Sequence, residues 1–382
     1  MQLHGSFLFL KSALLALIYI IGIEGLCAQP LCEQYAARLT DPPLYHCRYT
    51  TQPPTIDGYL DDEAWKSAAA INHLSDIRGD AFPRPSLPTE IRMLWDSTYL
   101  YVAARLYEPF INATLSQRDD IVWHENDFEV FIDPDGDGIN YYEIEVNALG
   151  TLLDLQMSHP YRSGGHFFST WDCPGLRHAV SVQGTVGDST DRDTCWSIEM
   201  AIPHRALARS FDDGLKQSNV WRMNFSRVEW LTQGGSEENW VWAPTGEVNI
   251  HMPERWAYVY LMNTTLHPRQ SDKPWTNYLP DDYKFMWMLF YAQQDHYAKH
   301  HRYLNSIEAF NLCEEDWQLI KPTLMPSTLS IPPTSTTTIE PQIAVYASPV
   351  GFELSLTREK YTLWLNHRGH FRIQEHTTSS TE

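Results

Sequence analysis

Residues 141–147 read YYEIEVN, an alternation that sets Tyr142, Ile144 and Val146 on one face of an extended chain against Glu143, Glu145 and Asn147 on the other. Such period-two patterning predicts a β-strand with one buried and one wet face. Residues 127–133, DFEVFID, carry the same alternation until their end. Working outward, further strand-like runs occupy 90–95, 99–106, 178–186, 195–202, 220–228 and 256–262, with turn signals between them. About ten strands and almost no helix predict a mainly β fold: an antiparallel two-sheet, jelly-roll-like β-sandwich over residues 53–262. One short helix is expected inside it, EAWKSAAA at 63–70, entered through Asp61 or Asp62 as N-cap.

The flanks read differently. Residues 29–52 form an N-terminal extension, and 263–280 form a linker rich in Pro, Thr and Asn. Beyond it, Phe285, Met288, Leu289, Ala292 and His296 recur at helical intervals within residues 282–310. A Pro/Thr-rich loop at 322–341 precedes a return to strand patterns, with Asn366-His367-Arg368-Gly369 as a hairpin turn. Residues 281–376 are therefore expected to form a small α+β element, followed by a tail at 377–382.

At the front, Lys11 precedes the apolar run SALLALIYIIGI at 12–23, which is too short to span a bilayer. Small residues follow, so residues 1–28 read as a signal peptide with Ala28 the last residue removed; an uncleaved anchor is the alternative. No other stretch approaches the ~18 apolar residues of a membrane helix. The mature chain is expected to be secreted, periplasmic or extracellular, with no membrane span. Cys27 would leave with the signal, and Cys32 with Cys47 and Cys173 with Cys195 are candidate disulfides, each closing a loop of roughly twenty residues. With Cys313 the remaining set is odd, which leaves at least one free thiol.

The chain has 382 residues, which favours two domains over one. With 43% hydrophobic and 20% charged residues it can bury a sizeable core. Its net charge of -20 would repel phosphate backbones and disfavours nucleic-acid binding. Aromatic residues are abundant, with 14 Trp among them, and an indole is costly to leave in water unless it packs or binds. Trp65, Trp95, Trp196 and Trp256 lie within strand or helix patterns and are expected in the core; Trp171, Trp240 and Trp242 lie in loop-like contexts, where one could line a site.

Six motifs follow one another: IDGYLDDEAW at 56–65, LWD with YLYV at 94–102, DFEVFIDP at 127–134, YYEIEVN at 141–147, WSIEMAIP at 196–203 and WRMNFSR at 221–227. Each alone is weak, but the ordered series resembles carbohydrate-binding module family 9 and its family-9-like relatives. The resemblance implies a sugar-binding β-sandwich, often appended to glycoside hydrolases that act on plant polysaccharides. It further implies that a Trp six residues before a strand Glu stacks on the sugar while the Glu accepts its hydroxyls. Trp123 and Glu129 have that spacing.

The chemistry of the residues agrees. A pyranose offers apolar C–H faces to an indole and hydroxyls to planar polar groups, and WHENDFE at 123–129 supplies both, with Glu125 and Asn126 as further polar candidates. The family closes its clamp with a second Trp just before a Pro-Glu-Arg-Trp segment. Here the residues before Pro253 are Val248-Asn249-Ile250-His251, so Trp242 or His251 takes that role or the clamp is absent. Arg222, with Asn224 and Arg227 on the same strand, either walls a polar site or pairs buried charges.

Asp133-Pro134-Asp135-Gly136-Asp137-Gly138 offers three alternating carboxylates to a hard cation. Position twelve of an EF-hand would fall on Ile144, which excludes that motif; Asp133, Asp135 and Asp137 form either a looser structural calcium site or a solvated acidic hairpin loop, and no cofactor is required. No G-x-S-x-G, HExxH, P-loop, dinucleotide or C-x-x-C-H motif occurs, and no catalytic residue is singled out. The expected function is an exported carbohydrate-binding protein linked to carbohydrate catabolism, its partner a mono-, oligo- or polysaccharide. The alternatives are a glycoside hydrolase and an interaction module that kept the fold without the sugar.

Overall fold

The computed structural model describes residues 29–207, 219–231, 235–262, 280–321 and 340–376. The parts expected as signal peptide (1–28), most of the linker (263–279), most of the Pro/Thr-rich loop (322–339) and the tail (377–382) lie outside the described residues. The first half of the main sheet comprises β1 (Leu44–Tyr49), β2 (Ser75–Asp76), β3 (Thr89–Trp95), β4 (Tyr99–Tyr107), β5 (Asp127–Asp133), β6 (Tyr142–Asn147) and β7 (Leu152–Met157). The second comprises β8 (Phe167–Phe168), β9 (Arg177–Gln183), β10 (Cys195–Pro203), β11 (Val220–Glu229), β12 (Glu238–Val241) and β13 (Ala257–Met262).

These form one 13-stranded sheet in the order β8-β7-β6-β5-β11-β13-β1-β3-β4-β10-β9, with β12 branching from β11 and carrying β2. The expectation of two separate antiparallel sheets is corrected at β1. That strand comes from the segment read as an N-terminal extension, and it pairs in parallel with both β13 and β3. It thereby joins the two halves into one curled sheet. Phe128, Val130 and Ile132 of β5 share an apolar cluster with Val102, Ala104 and Leu106 of β4 and Ile198 and Met200 of β10, so the halves close on a common core. Trp65, Trp95, Trp196 and Trp256 are all buried, as their patterns predict.

The helix expected over 63–70 lasts one turn, α2 (Glu63–Lys66), after the still earlier turn α1 (Leu31–Gln34). Asp62 does not cap α2 with its side chain; its carboxylate accepts the Thr55 N–H at 2.8 Å instead. Trp65 is held by donation from its indole N–H to Glu199 at 2.6 Å.

The C-terminal element is α+β, as expected. Helix α3 (Pro280–His300) packs on an antiparallel meander of β14 (Gln342–Ser348), β15 (Gly351–Thr357), β16 (Tyr361–Asn366) and β17 (Phe371–Glu375). Phe285, Met288 and Leu289 meet Leu354, Leu356, Leu363 and Leu365 there. The helix stops ten residues before its expected end because His301 takes a left-handed backbone, φ 54°; a last short helix, α4, follows at Glu314–Gln318. The turn between β16 and β17 falls where predicted, with the Gly369 N–H donating to the Asn366 carbonyl at 2.9 Å. The element is pinned to the main sheet by Glu254, which takes both guanidinium arms of Arg162 at 2.7 and 2.9 Å and the Tyr291 hydroxyl at 2.7 Å.

Neither expected disulfide forms: Cys32, Cys47, Cys173 and Cys195 are free thiols. Nearness in sequence does not aim two Cβ atoms at one another. Cys47 lies in the main-sheet core while Cys32 packs against the C-terminal core. Cys195 is set between Tyr107 and Gln183 in its ladders, and the Cys173 N–H is committed to Asp154 at 2.7 Å. Among the described residues no helix is long and apolar enough to cross a membrane.

Candidate functional site

In an antiparallel pair, residues directly opposite project to the same face. On β5, Phe128, Val130 and Ile132 fill the core, which leaves Asp127, Glu129 and Phe131 on the opposite face. Glu129 stands opposite Glu145 of β6 on one side and Ser226 of β11 on the other; Asp127 stands opposite Asn147 and Val228; Phe131 stands opposite Glu143. Four carboxylates thus share one patch of sheet. Three of them, Glu129, Glu143 and Glu145, floor a cleft of about 320 Å³ whose walls include Trp123, Asn239 of β12 and residues 248–251, and Asp127 lies beside them outside its lining.

The face expected to be wet is in fact covered. Asp127, Glu129, Glu143 and Glu145 are all buried, and burial of a carboxylate favours its neutral form. Burial and the adjacent Glu143 push the Glu129 carboxyl up to about 8, and burial raises Glu143 to about 7. Asp127 and Glu145 are raised by the same causes, desolvation and the neighbouring carboxylates. Burial moves His251 the other way, down to about 4, so its ring is neutral at physiological pH. Its Nδ1 lies 3.1 Å from the Tyr141 hydroxyl and its Nε2 4.0 Å from Glu143.

Trp123 projects from a one-turn 3-10 helix (Val122–His124) that ends two residues before β5, and its ring is 39% exposed. The ring meets His124 edge-on at 4.1 Å, while the backbone carbonyl of Trp123 accepts the Trp230 indole N–H at 3.4 Å. An exposed indole face over a floor of oxygen acceptors suits a ligand that is apolar on one face and rich in hydroxyls at its edge.

Of the residues expected at a sugar site, Trp123, Glu129 and His251 meet at this cleft. The other four stand elsewhere, each for a visible reason. Glu125 turns away to hold the chain before β5, accepting the Thr114 N–H at 2.8 Å and the Asn147 amide at 2.7 Å. Asn126 is buried between Glu108 and Glu229, donating to both, the second at 2.8 Å, and accepting the Trp230 N–H. Trp242 is 8% exposed and stacks on Phe225 inside the core, so His251 is the ring that reaches the cleft. Arg222 lies over the Tyr258 ring at 3.9 Å and donates to the Pro253 and Glu254 carbonyls. Arg227 pairs with Glu229 at 2.7 Å, which resolves that strand as one of buried charge pairs. Trp240 is buried, and Trp171 packs on Tyr142 at 4.7 Å.

Sequence reasoning missed Asp127, Glu143, Glu145 and Asn239. The alternation already placed Glu143 and Glu145 on one face; what joined them to Glu129 was the hairpin register. The loop of Asp133, Asp135 and Asp137 does converge, with one oxygen of each within 4.8 Å of the others. Asp133 accepts the N–H groups of Gly136 at 3.1 Å and Gly138 at 2.8 Å, while Asp137 lies 3.2 Å from His370 of the C-terminal element. Burial and the two neighbouring aspartates push the Asp133 carboxyl up. An all-oxygen donor set in a tight loop fits calcium.

The chain is thus a β module: a curled sheet carrying a cleft with Trp123 on its wall and carboxyl groups on its floor. Residues 56–264 match the family model described as "Carbohydrate family 9 binding domain-like", and the chain belongs to that family. It is 32% identical over 90 residues to endo-1,4-beta-xylanase A of Thermotoga maritima, covering 24% of this chain and 8% of that enzyme. It is 30% identical over 100 residues to endo-1,4-beta-xylanase C of Paenibacillus barcinonensis, covering 26% of this chain and again 8% of the relative. The chain therefore spans less than a tenth of these curated relatives. Among solved structures it resembles a family 9 carbohydrate-binding module of Caldicellulosiruptor kristjanssonii in complex with cellotriose, at 15% identity and TM-score 0.40, covering 59% of this chain and 99% of that one.

Proposed function

We propose that this chain is an exported carbohydrate-binding protein that receives a sugar or a polysaccharide end in the cleft over β5, β6, β11 and β12. The observation that carries the reading is the meeting of Trp123 and Glu129 at one cleft, at the six-residue spacing that the family resemblance assigns to stacking and hydroxyl binding. Trp123 offers the apolar plate, Glu129 and Glu143 accept hydroxyl protons, and Asn239 both donates and accepts. His251 replaces a second indole, which weakens any clamp and favours contact through the floor. The xylanase relatives make β-1,4-linked plant polysaccharides the first candidates. Calcium at Asp133, Asp135 and Asp137 would brace the loop against the C-terminal element.

The hydrolase reading gains one observation, a cluster of buried carboxylates with raised affinity for protons. Glycoside hydrolysis, however, needs two carboxyl groups flanking the scissile bond, whereas Asp127, Glu129 and Glu145 converge in one cluster on one side of the cleft. Incubating the protein with xylo- and cello-oligosaccharides tests both readings: retention without new reducing ends supports the binder, and reducing ends abolished by one carboxylate substitution support the enzyme.

A further inference from the structure

Three groups of carboxylates converge among the described residues. Asp119, Asp154 and Asp172 gather around Arg118, which bonds Asp154 at 2.5 Å and Asp172 at 2.8 Å. Asp133, Asp135 and Asp137 are served by backbone N–H groups and His370. The third group, Asp127, Glu129 and Glu145, has no basic side chain among the charges that act on it, only Ser226 beside Glu129 and the Glu143 carboxyl beside Glu145. The charges that act most strongly on it are its own and those of Glu143, Glu125 and Glu237, all acidic. Asp127 and Glu145 are almost wholly buried, at 0% and 2% exposure. The Val228 backbone N–H lies near enough to Asp127 to favour its charged form, yet neither Asp127 oxygen has a partner in hydrogen-bonding geometry, and Oε2 of Glu145 has none either. Buried carboxylate oxygens without donors are costly and rare in native proteins.

We infer that Asp127, Glu129 and Glu145 form a divalent-cation site, best suited to calcium, which meets the floor of the cleft at Glu129 and Glu145, and that the ion's outward face is completed there by vicinal hydroxyls of the bound sugar. One oxygen of each residue lies within 4.8 Å of the others. Oxygens on opposite sides of a calcium ion are roughly 4.6 to 5.2 Å apart, twice the usual ligand distance. The donor set is all carboxylate, which disfavours zinc. Calcium takes six to eight oxygens in flexible geometry, so three protein ligands leave room for sugar hydroxyls, whereas magnesium holds its waters tightly. The sugar half of this inference rests on the proposed function; the ion half stands on the trio alone.

The test counts calcium bound per chain by equilibrium dialysis, on the full chain and on its Glu145→Gln and Asp127→Asn variants, each checked for folding by circular dichroism. The wild type should bind one more calcium than either variant, whatever the Asp133 loop takes up. In chelator the variants should melt no lower than the wild type, because each replaces a buried carboxyl, whose ionisation its acidic neighbours oppose, with an amide that cannot ionise. Equal calcium counts overturn the site, and so does a lower melting temperature in chelator, which would make the carboxylate a structural need of the fold. Should both variants fail to fold, Glu129→Gln carries the same count. For the sugar half, chelation should weaken cellotriose or xylotriose binding at least tenfold in the wild type, and Glu145→Gln should do so in saturating calcium. Sugar binding indifferent to both overturns the bridging role. Absence of sugar binding under every condition overturns the proposed function and leaves the ion count as an independent result.

Discussion

Glu129 and Glu145 face one another directly across the β5–β6 ladder, both buried, each with a carboxylate oxygen within 4.8 Å of the other's. Like charges directly opposite destabilise a sheet, and burial raises the cost. The pair therefore costs the fold stability unless a proton or a bound cation offsets it.

The first consequence is a pH dependence. Glu129 and Glu143 have folded values of about 8 and about 7, above the ordinary 4.5. Their stabilising contribution is complete below the unfolded value and is lost as pH rises through 7 to 8. His251, moved down to about 4, acts in the opposite sense and costs stability as pH falls below 6.5. In chelator, thermal melts should therefore stand higher at pH 6 than at pH 8.5, by roughly 5 °C or more. Glu129→Gln should shrink the difference, and flat melts across that window would contradict the burial of the cluster.

Trp123 is partly exposed and its ring packs on His124. Removing it should leave the core intact. Trp123→Ala should weaken oligosaccharide binding by ~1 to 3 kcal/mol, the scale of aromatic stacking, with the melting temperature little changed. An unchanged dissociation constant would make the indole a cover for the β5 entry and nothing more.

Asp133, Asp135 and Asp137 predict a second, separable effect. Calcium bound in the folded loop and not in the unfolded chain stabilises by mass action, so chelator should lower the melting temperature of Glu145→Gln, whose remaining acidic loop is intact, and added calcium should restore it. Asp135→Asn in that background should abolish the response. Identical melts with and without chelator would leave the loop solvated.

Asn126 offers the converse case, a residue read from sequence as a sugar ligand that the fold uses as a buried clamp between Glu108 and Glu229. Asn126→Ala strips two buried carboxylates of a donor and should cost ~2 to 3 kcal/mol, read as a fall in denaturation midpoint, with sugar affinity unchanged.

How far the sequence carries is visible in these residues. The strands of the β5–β6 hairpin, the C-terminal helix and the Asn366 turn follow from local periodicity and turn chemistry, and Trp123 with Glu129 is singled out by the family resemblance, whose spacing they match. The parallel pairing of β1 with β13 and β3 was not legible, because residues 44–49 carry no signal of the strands they will join more than forty and two hundred residues away. Glu125 and Asn126 looked like ligands because local sequence gives polarity but not direction. The carboxylate cluster of Asp127, Glu129, Glu143 and Glu145 needed the register between strands, a property of pairs that no single run contains.

The most direct test of the central claim is calorimetric titration of xylo- and cello-oligosaccharides into the protein in calcium, for the wild type and Glu129→Gln. Saturable binding to the wild type and at least tenfold weaker binding to the variant are expected, since a neutral amide is a poorer acceptor of hydroxyl protons, and a poorer calcium ligand, than a carboxylate. No binding to any oligosaccharide, or equal affinity in both proteins, would contradict a sugar site on the floor of this cleft.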